Sequence, residues 1–195
     1  MKINKKTTRA ILTYTAYILV LGILQTTLPD AISILGAGPD LTLILAVLCG
    51  YMFGLRDGLT VGLAVGFFRD MLAGRVMGLG MLLLMYAGIL ASVAFRRFFR
   101  RNVALGIIQV FLATLIYEIV ITGLTFILPL LPDVIHSMEL LTRHFLDHLP
   151  GALIANGLAS IPLMLLLYFA GPYRRGTYQD ETDESIVGDS LWQVK

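Results

Sequence analysis

The chain has 195 residues, of which 57% are hydrophobic and only 14% charged, and its formal net charge is +2. A soluble domain of this size carries about 25% charged residues, and its amphipathic helices interrupt their apolar residues every second or third position. Here the apolar residues arrive in long blocks at a mean hydropathy of +0.81, which excludes an ordinary soluble fold. A single cysteine, Cys49, excludes a disulfide framework within one chain.

The N-terminal Lys2, Lys5, Lys6 and Arg9 precede an apolar run over 10–28 that ends at Pro29-Asp30. That run is longer than the apolar core of a signal peptide and lacks a small-x-small cleavage site, so it reads as a first spanning helix. Further spans are expected over 39–54, 58–73, 79–95, 103–128 and 152–169, giving an all-α membrane protein with about six transmembrane helices. Pro39 suits the first turn of the second span. The fourth is stopped by Arg96, Arg97, Arg100 and Arg101, and the fifth by Pro129 and Pro132.

Basic residues set the orientation, because cytoplasmic flanks retain Lys and Arg. Six crossings with the N-terminus inside put the N-tail, Arg56, the arginine run and Arg174, Arg175 and Lys195 on the cytoplasmic side. Only Arg75 and Arg143 then face outward. Both termini are expected in the cytoplasm. The second and third blocks are short, and a re-entrant hairpin in place of two crossings leaves the arginine run inside as well.

Between the last two spans, the segment 133–149 places Val134, Met138, Leu141, Phe145 and Leu149 at helical spacing among Asp133, Glu139, Arg143 and Asp147. It reads as an amphipathic helix on the outer membrane surface. His136, His144 and His148 recur at multiples of four, but without the glutamate of an H-E-x-x-H motif this spacing does not define a metal site. Headgroup-level histidines on the polar face are expected. The end of the chain, 172–195, loses its periodicity, carries Asp180, Glu181, Asp183, Glu184 and Asp189, and reads as a flexible, acidic cytoplasmic tail.

Ionisable groups within spans are costly, about 2.5–3.5 kcal/mol each near a helix centre, and so are functional candidates. Asp40 stands where the second span begins, Asp70 at the end of the third and Glu118 near the middle of the fifth. Gly58, Gly62, Gly66 and Asp70 recur every four residues along one helix face, a small-residue seam against which another helix can pack. Asp70 is expected either to accept hydrogen bonds from a neighbouring turn or to belong to a site near the outer membrane face. Arg69 points about 100° away from it and is expected to snorkel to the interface. Glu118 fits a structural hydrogen bond and a proton- or ligand-binding role equally. No nucleophile elbow, Walker loop, CxxC pair or zincin motif is present, and Asp57 and Asp70 lie about 20 Å apart along a helix, too far to share a metal. No enzymatic activity, cofactor, metal or nucleic-acid partner is expected.

The segment Gly38-Pro39-Asp40-Leu41, the spaced glycines, and Gly66-Phe67-Phe68-Arg69-Asp70 with Gly74 and Gly78 resemble the rod shape-determining protein MreD family. That resemblance implies a bacterial cytoplasmic-membrane protein of the cell-elongation (peptidoglycan synthesis) machinery. It would bind MreC and, through it, MreB, RodA and a class B penicillin-binding protein. It further implies a fold similar to the substrate-binding subunits of energy-coupling-factor transporters. In that role the Gly58, Gly62 and Gly66 face would receive a partner helix, with Asp70 fixing the geometry at its outer end. The alternative is a vitamin-binding transporter subunit of the same architecture, with a pocket lined by Asp70, Tyr86 and Glu118. The first span lacks that group's paired small residues, since Ala10 and Ala16 lie on different faces.

Overall fold

The computed structural model describes residues 5–27, 32–73, 78–94, 103–127 and 138–173. Six helices account for nearly all of them: α1 Lys5–Thr27, α2 Leu41–Phe53, α3 Leu55–Ala73, α4 Leu79–Ala94, α5 Val103–Ile127 and α6 Met138–Ala170. The arginine run after α4, residues 133–137 of the expected surface helix and the acidic tail from 174 onward lie outside the described residues.

The packing is organised around α2. Its thirteen residues are apolar on every side, apart from Thr42, and all of them are buried, as a helix with no polar stripe requires. At 1.5 Å per residue it is about 20 Å long, short of the ~30 Å hydrocarbon core. By length and composition α1, α5 and α6 are the three helices that match a membrane crossing, with apolar stretches at Thr7–Thr27, Val103–Leu124 and Thr142–Ala170. The other five helices surround α2 and turn large apolar side chains outward, among them Ile11, Phe67, Leu82, Ile116 and Leu165. Among the described residues, five helices thus expose apolar side chains around the enclosed α2.

Consecutive helices run antiparallel. Gly54, the residue between α2 and α3, has φ 103°, a left-handed conformation that glycine adopts without strain. The hairpin it forms brings Arg69, late in α3, against Asp40 at the start of α2. Next, α3 and α4 pack through facing small residues. A Cβ at Gly58 would lie 2.6 Å from the Gly88 carbonyl oxygen, and one at Gly62 would lie 2.5 Å from that of Leu84. At Gly66 it would lie 2.5 Å from the Met81 Cα. The seam expected to receive a partner helix is therefore filled from within the chain, by α4.

One end of the bundle carries the N-terminus of α1 and the C-terminus of α6. There the Tyr17 hydroxyl donates to the Ala170 carbonyl at 3.0 Å. Tyr173 donates to Asp57 Oδ1 at 2.9 Å, and the Phe53 and Tyr173 rings pack with centroids 5.6 Å apart. The opposite end carries the start of α2 and a tight turn in which Ile34 and Ala37 exchange backbone hydrogen bonds of 2.8 and 3.0 Å. Leu35 and Gly36 turn the chain with φ of 52° and 80°, the paired positive values of a primed turn.

The expectation of a separate surface helix ending before Pro150 is corrected over the described residues. α6 is a single helix of 33 residues with Pro150 and Pro162 inside it. A proline removes one helical hydrogen bond and bends the helix, but contacts on both sides of Pro150 keep this one continuous.

Candidate functional site

The end of the bundle opposite the start of α1 and the end of α6 gathers polar side chains from five helices. Its centre is the start of α2, where the first amides of a buried helix have no intrahelical acceptors and need partners from elsewhere. Asp40 caps the helix: its Oδ1 accepts from the Leu43 amide at 2.9 Å and from the Thr42 hydroxyl at 2.6 Å. The Asp40 amide donates to Asn156 Oδ1 of α6 at 2.6 Å. The Leu41 amide donates to Gln25 Oε1 of α1, also at 2.6 Å, and Gln25 Nε2 donates back to the Pro39 carbonyl at 3.2 Å. Asn156 is anchored on its other side by a 3.0 Å bond from Nδ2 to the Thr114 hydroxyl of α5.

Asp40 Oδ2 is met by Arg69 of α3 in a 2.7 Å ion pair. The same guanidinium nitrogen lies 3.4 Å from the Thr42 hydroxyl, and the guanidinium carbon sits 5.4 Å from the centre of the Tyr117 ring, a cation–π geometry. Arg69 therefore does not simply snorkel to the interface: it is half-buried between α2 and α5. Beside Tyr117, Glu118 Oε1 lies 4.0 Å from His148 Nε2 on α6. The His148 ring stacks on that of His144 at 5.8 Å with a 16° interplanar angle. Among the described residues, no group of three or more His, Cys, Asp and Glu is arranged to hold a metal ion.

Asp70 plays a different part. Its carboxylate accepts from the amides of Gly78 at 2.9 Å, Gly80 at 3.1 Å and Met81 at 3.1 Å. It caps α4 from the neighbouring helix, where a negative charge also complements the helix dipole. Tyr86 is exposed on α4. Among the described residues, no hydrogen bond or ion pair joins Asp70, Tyr86 and Glu118. Asp40 and Glu118, by contrast, belong to one cluster. Gln25, Thr42, Thr114, Tyr117 and Asn156 are members that the sequence did not single out. The signal available was the isolated polar residue in an apolar block, which Gln25, Thr114 and Asn156 each present.

This architecture, an all-helical bundle with lipid-facing apolar surfaces and a polar cluster confined to one end, defines a multi-span membrane protein. The family model described as 5TMR of 5TMR-LYT matches residues 1–170, and the chain belongs to that five-transmembrane-helix family. Membership corrects the resemblance to the MreD family, and the partners expected from it, MreC foremost, lose that support. No curated protein and no solved structure matches the chain.

Proposed function

We propose that this chain is a non-enzymatic recognition module of a cytoplasmic membrane, which receives a small polar ligand at the cluster around Asp40, Arg69, Glu118 and His148. The observation that carries the reading is the convergence of charged and amide side chains from α1, α2, α3, α5 and α6 at one end of the bundle. Ionisable groups at membrane depth are expensive and mark sites of binding or transport. Asp40 and Arg69 offset each other, so the Glu118 carboxyl, 4.0 Å from His148, tips the cluster's hydrogen-bonding balance toward acceptors. A ligand carrying an amine or several hydroxyl donors suits that balance. The hydrogen bonds of Gln25 and Asn156 go to the start of α2 and to the Thr114 hydroxyl, which makes these two side chains a frame for the site.

In this reading α1, α3, α4, α5 and α6 enclose the shorter α2, both termini lie in the cytoplasm and the cluster opens outward. Arg9 and Arg56 sit at the end that carries the start of α1 and the end of α6, in keeping with the retention of positive charge inside. A transporter-type substrate-binding subunit, similar in fold to those of energy-coupling-factor systems, is the second reading. It is favoured by the same placement of a multi-helix polar cluster at the outward end.

The test is affinity purification of the tagged chain from its native membranes in mild detergent, followed by identification of small molecules and proteins released from it. A polar small molecule recovered in stoichiometric amount, and lost from Arg69→Gln, supports the recognition module. An ABC-type ATPase recovered with it favours the transporter subunit. Equal recovery of the same molecule from Arg69→Gln, or no molecule at all, contradicts a site at this cluster.

A further inference from the structure

At the end of the bundle opposite the polar cluster, α1 and α6 stand side by side without packing on each other. Among the described residues no Cα of α1 comes within 8 Å of one in α6. The Tyr17 side chain spans the gap, its hydroxyl donating to the Ala170 carbonyl at 3.0 Å and lying 3.4 Å from that of Leu166. Beside it a cleft of about 430 Å³ remains. Leu12, Thr13, Ala16 and Val20 line it from α1, and Leu166 and Ala170 from α6. The buried Leu21 joins it to the core, while Leu12, Val20 and Leu166 are exposed, so the cleft opens sideways to the bilayer. An apolar cleft left empty forfeits the dispersion contacts of its lining, and in a membrane something apolar fills it.

The dimensions of the cleft and the charge beside it identify the occupant. From Leu12 to Leu21 α1 rises about 13.5 Å at 1.5 Å per residue, close to half of the ~30 Å hydrocarbon core. That is the reach of an acyl chain in one leaflet. A helix about 10–12 Å across would occupy on the order of 1,000 Å³ over the same length, more than twice the cleft. A single hydrocarbon chain is narrow enough to lie in it. Arg9 precedes Leu12 by three residues and Thr13 by four, so it heads the same face of α1. It is exposed, and among the described residues no carboxylate pairs with it. Its side chain leans toward the N-terminal end of the helix, out of the hydrocarbon and toward the headgroups. We propose that this cleft binds an anionic phospholipid, with one acyl chain between α1 and α6 and the phosphate on the Arg9 guanidinium. Guanidinium–phosphate pairs are charge-assisted and commonly bidentate, so the headgroup adds selectivity to the burial of the chain. The site is far from the Asp40 cluster and stands or falls independently of a ligand there.

The experiment is native mass spectrometry of the full chain released from vesicles of equal parts phosphatidylglycerol and phosphatidylcholine, with the retained lipids identified. The parent protein is expected to retain phosphatidylglycerol in preference to phosphatidylcholine. Arg9→Gln should lower that preference about five-fold, the effect of one arginine near an anionic surface. Ala16→Phe, at an exposed position, should fill the cleft and release both lipids while the protein melts as the parent does. Ile119→Phe, exposed on α5, should retain lipid as the parent does. Equal retention of the two lipids by the parent overturns the proposal, and so does parent-like retention in Arg9→Gln or Ala16→Phe. Loss of lipid from Ile119→Phe as complete as from Ala16→Phe also overturns it. A dimer without lipid, broken by Ala16→Phe, would assign the cleft to a second copy of the chain and contradict the lipid site.

Discussion

Arg69 Nη1 lies 2.7 Å from Asp40 Oδ2, although the two residues are 29 positions apart in the chain. This contact closes the α2–α3 hairpin at its open end, next to the amides that Asp40 caps. It joins the local chemistry of a helix start to the packing of three helices and forms one wall of the proposed site.

Removing one partner of such a pair leaves a half-buried charge without compensation. A fully buried pair loses about 3–5 kcal/mol when broken this way, and partial exposure lowers the figure here to about 2 kcal/mol. Asp40→Asn retains a good capping group and should isolate the charge effect, whereas Asp40→Ala should lose about 1 kcal/mol more with the cap. Reversible unfolding in detergent micelles would measure the difference; equal losses for the two variants would contradict the capping role.

The α3–α4 seam should tolerate no side chain. Gly66→Leu is expected to destabilise the protein by more than about 3 kcal/mol, because the obstacle is backbone and cannot rotate away. At Gly123, on α5, a Cβ would meet no atom within 4 Å, so Gly123→Ala should be neutral or stabilising by up to about 1 kcal/mol. Thermal unfolding monitored by size-exclusion chromatography distinguishes the two.

Asp70 holds three amides at the start of α4. Asp70→Asn keeps one acceptor oxygen and should cost about 1–2 kcal/mol, while Asp70→Ala, which strands all three donors, should cost about twice that. Hydrogen exchange at Gly80 and Met81 should rise in both variants and most in Asp70→Ala. Unchanged exchange would show that the carboxylate is not the cap.

At the other end, Tyr173→Phe deletes the 2.9 Å hydrogen bond to Asp57 and retains the ring packed on Phe53. A hydrogen bond to a charged acceptor contributes about 1.5–3 kcal/mol, and a loss in that range is expected in a melting experiment. A loss below about 0.5 kcal/mol would mean that ring packing alone fastens the C-terminal end of α6.

Much of the bundle could be read from the sequence, because apolar blocks punctuated by Pro, Gly and Arg mark helix limits directly. The glycine face of α3 was visible too, but its partner was not. A small-residue stripe specifies close approach without specifying what approaches, and the complementary Gly80 and Gly88 lie on the next helix. For the same reason the glycine-and-aspartate motif was a poor guide to family: it encodes a packing solution open to any tight antiparallel pair of helices. Arg69 with Asp40, and Glu118 with His148, are contacts between distant parts of the chain that no local pattern encodes. The continuity of α6 through Pro150 was hidden because a local rule favouring a break is overridden by contacts from α2 and α5.

The central claim places the polar cluster on the outer side of the membrane and the chain termini inside. Single cysteines at positions 148 and 56, in a Cys49→Ala background, can be exposed to a membrane-impermeant maleimide in intact cells and again after permeabilisation. Labelling at 148 in intact cells, with labelling at 56 only after permeabilisation, is the expected result. Labelling at 56 in intact cells would contradict the claim, since it would turn the cluster toward the cytoplasm or make the α2–α3 pair a hairpin that does not cross.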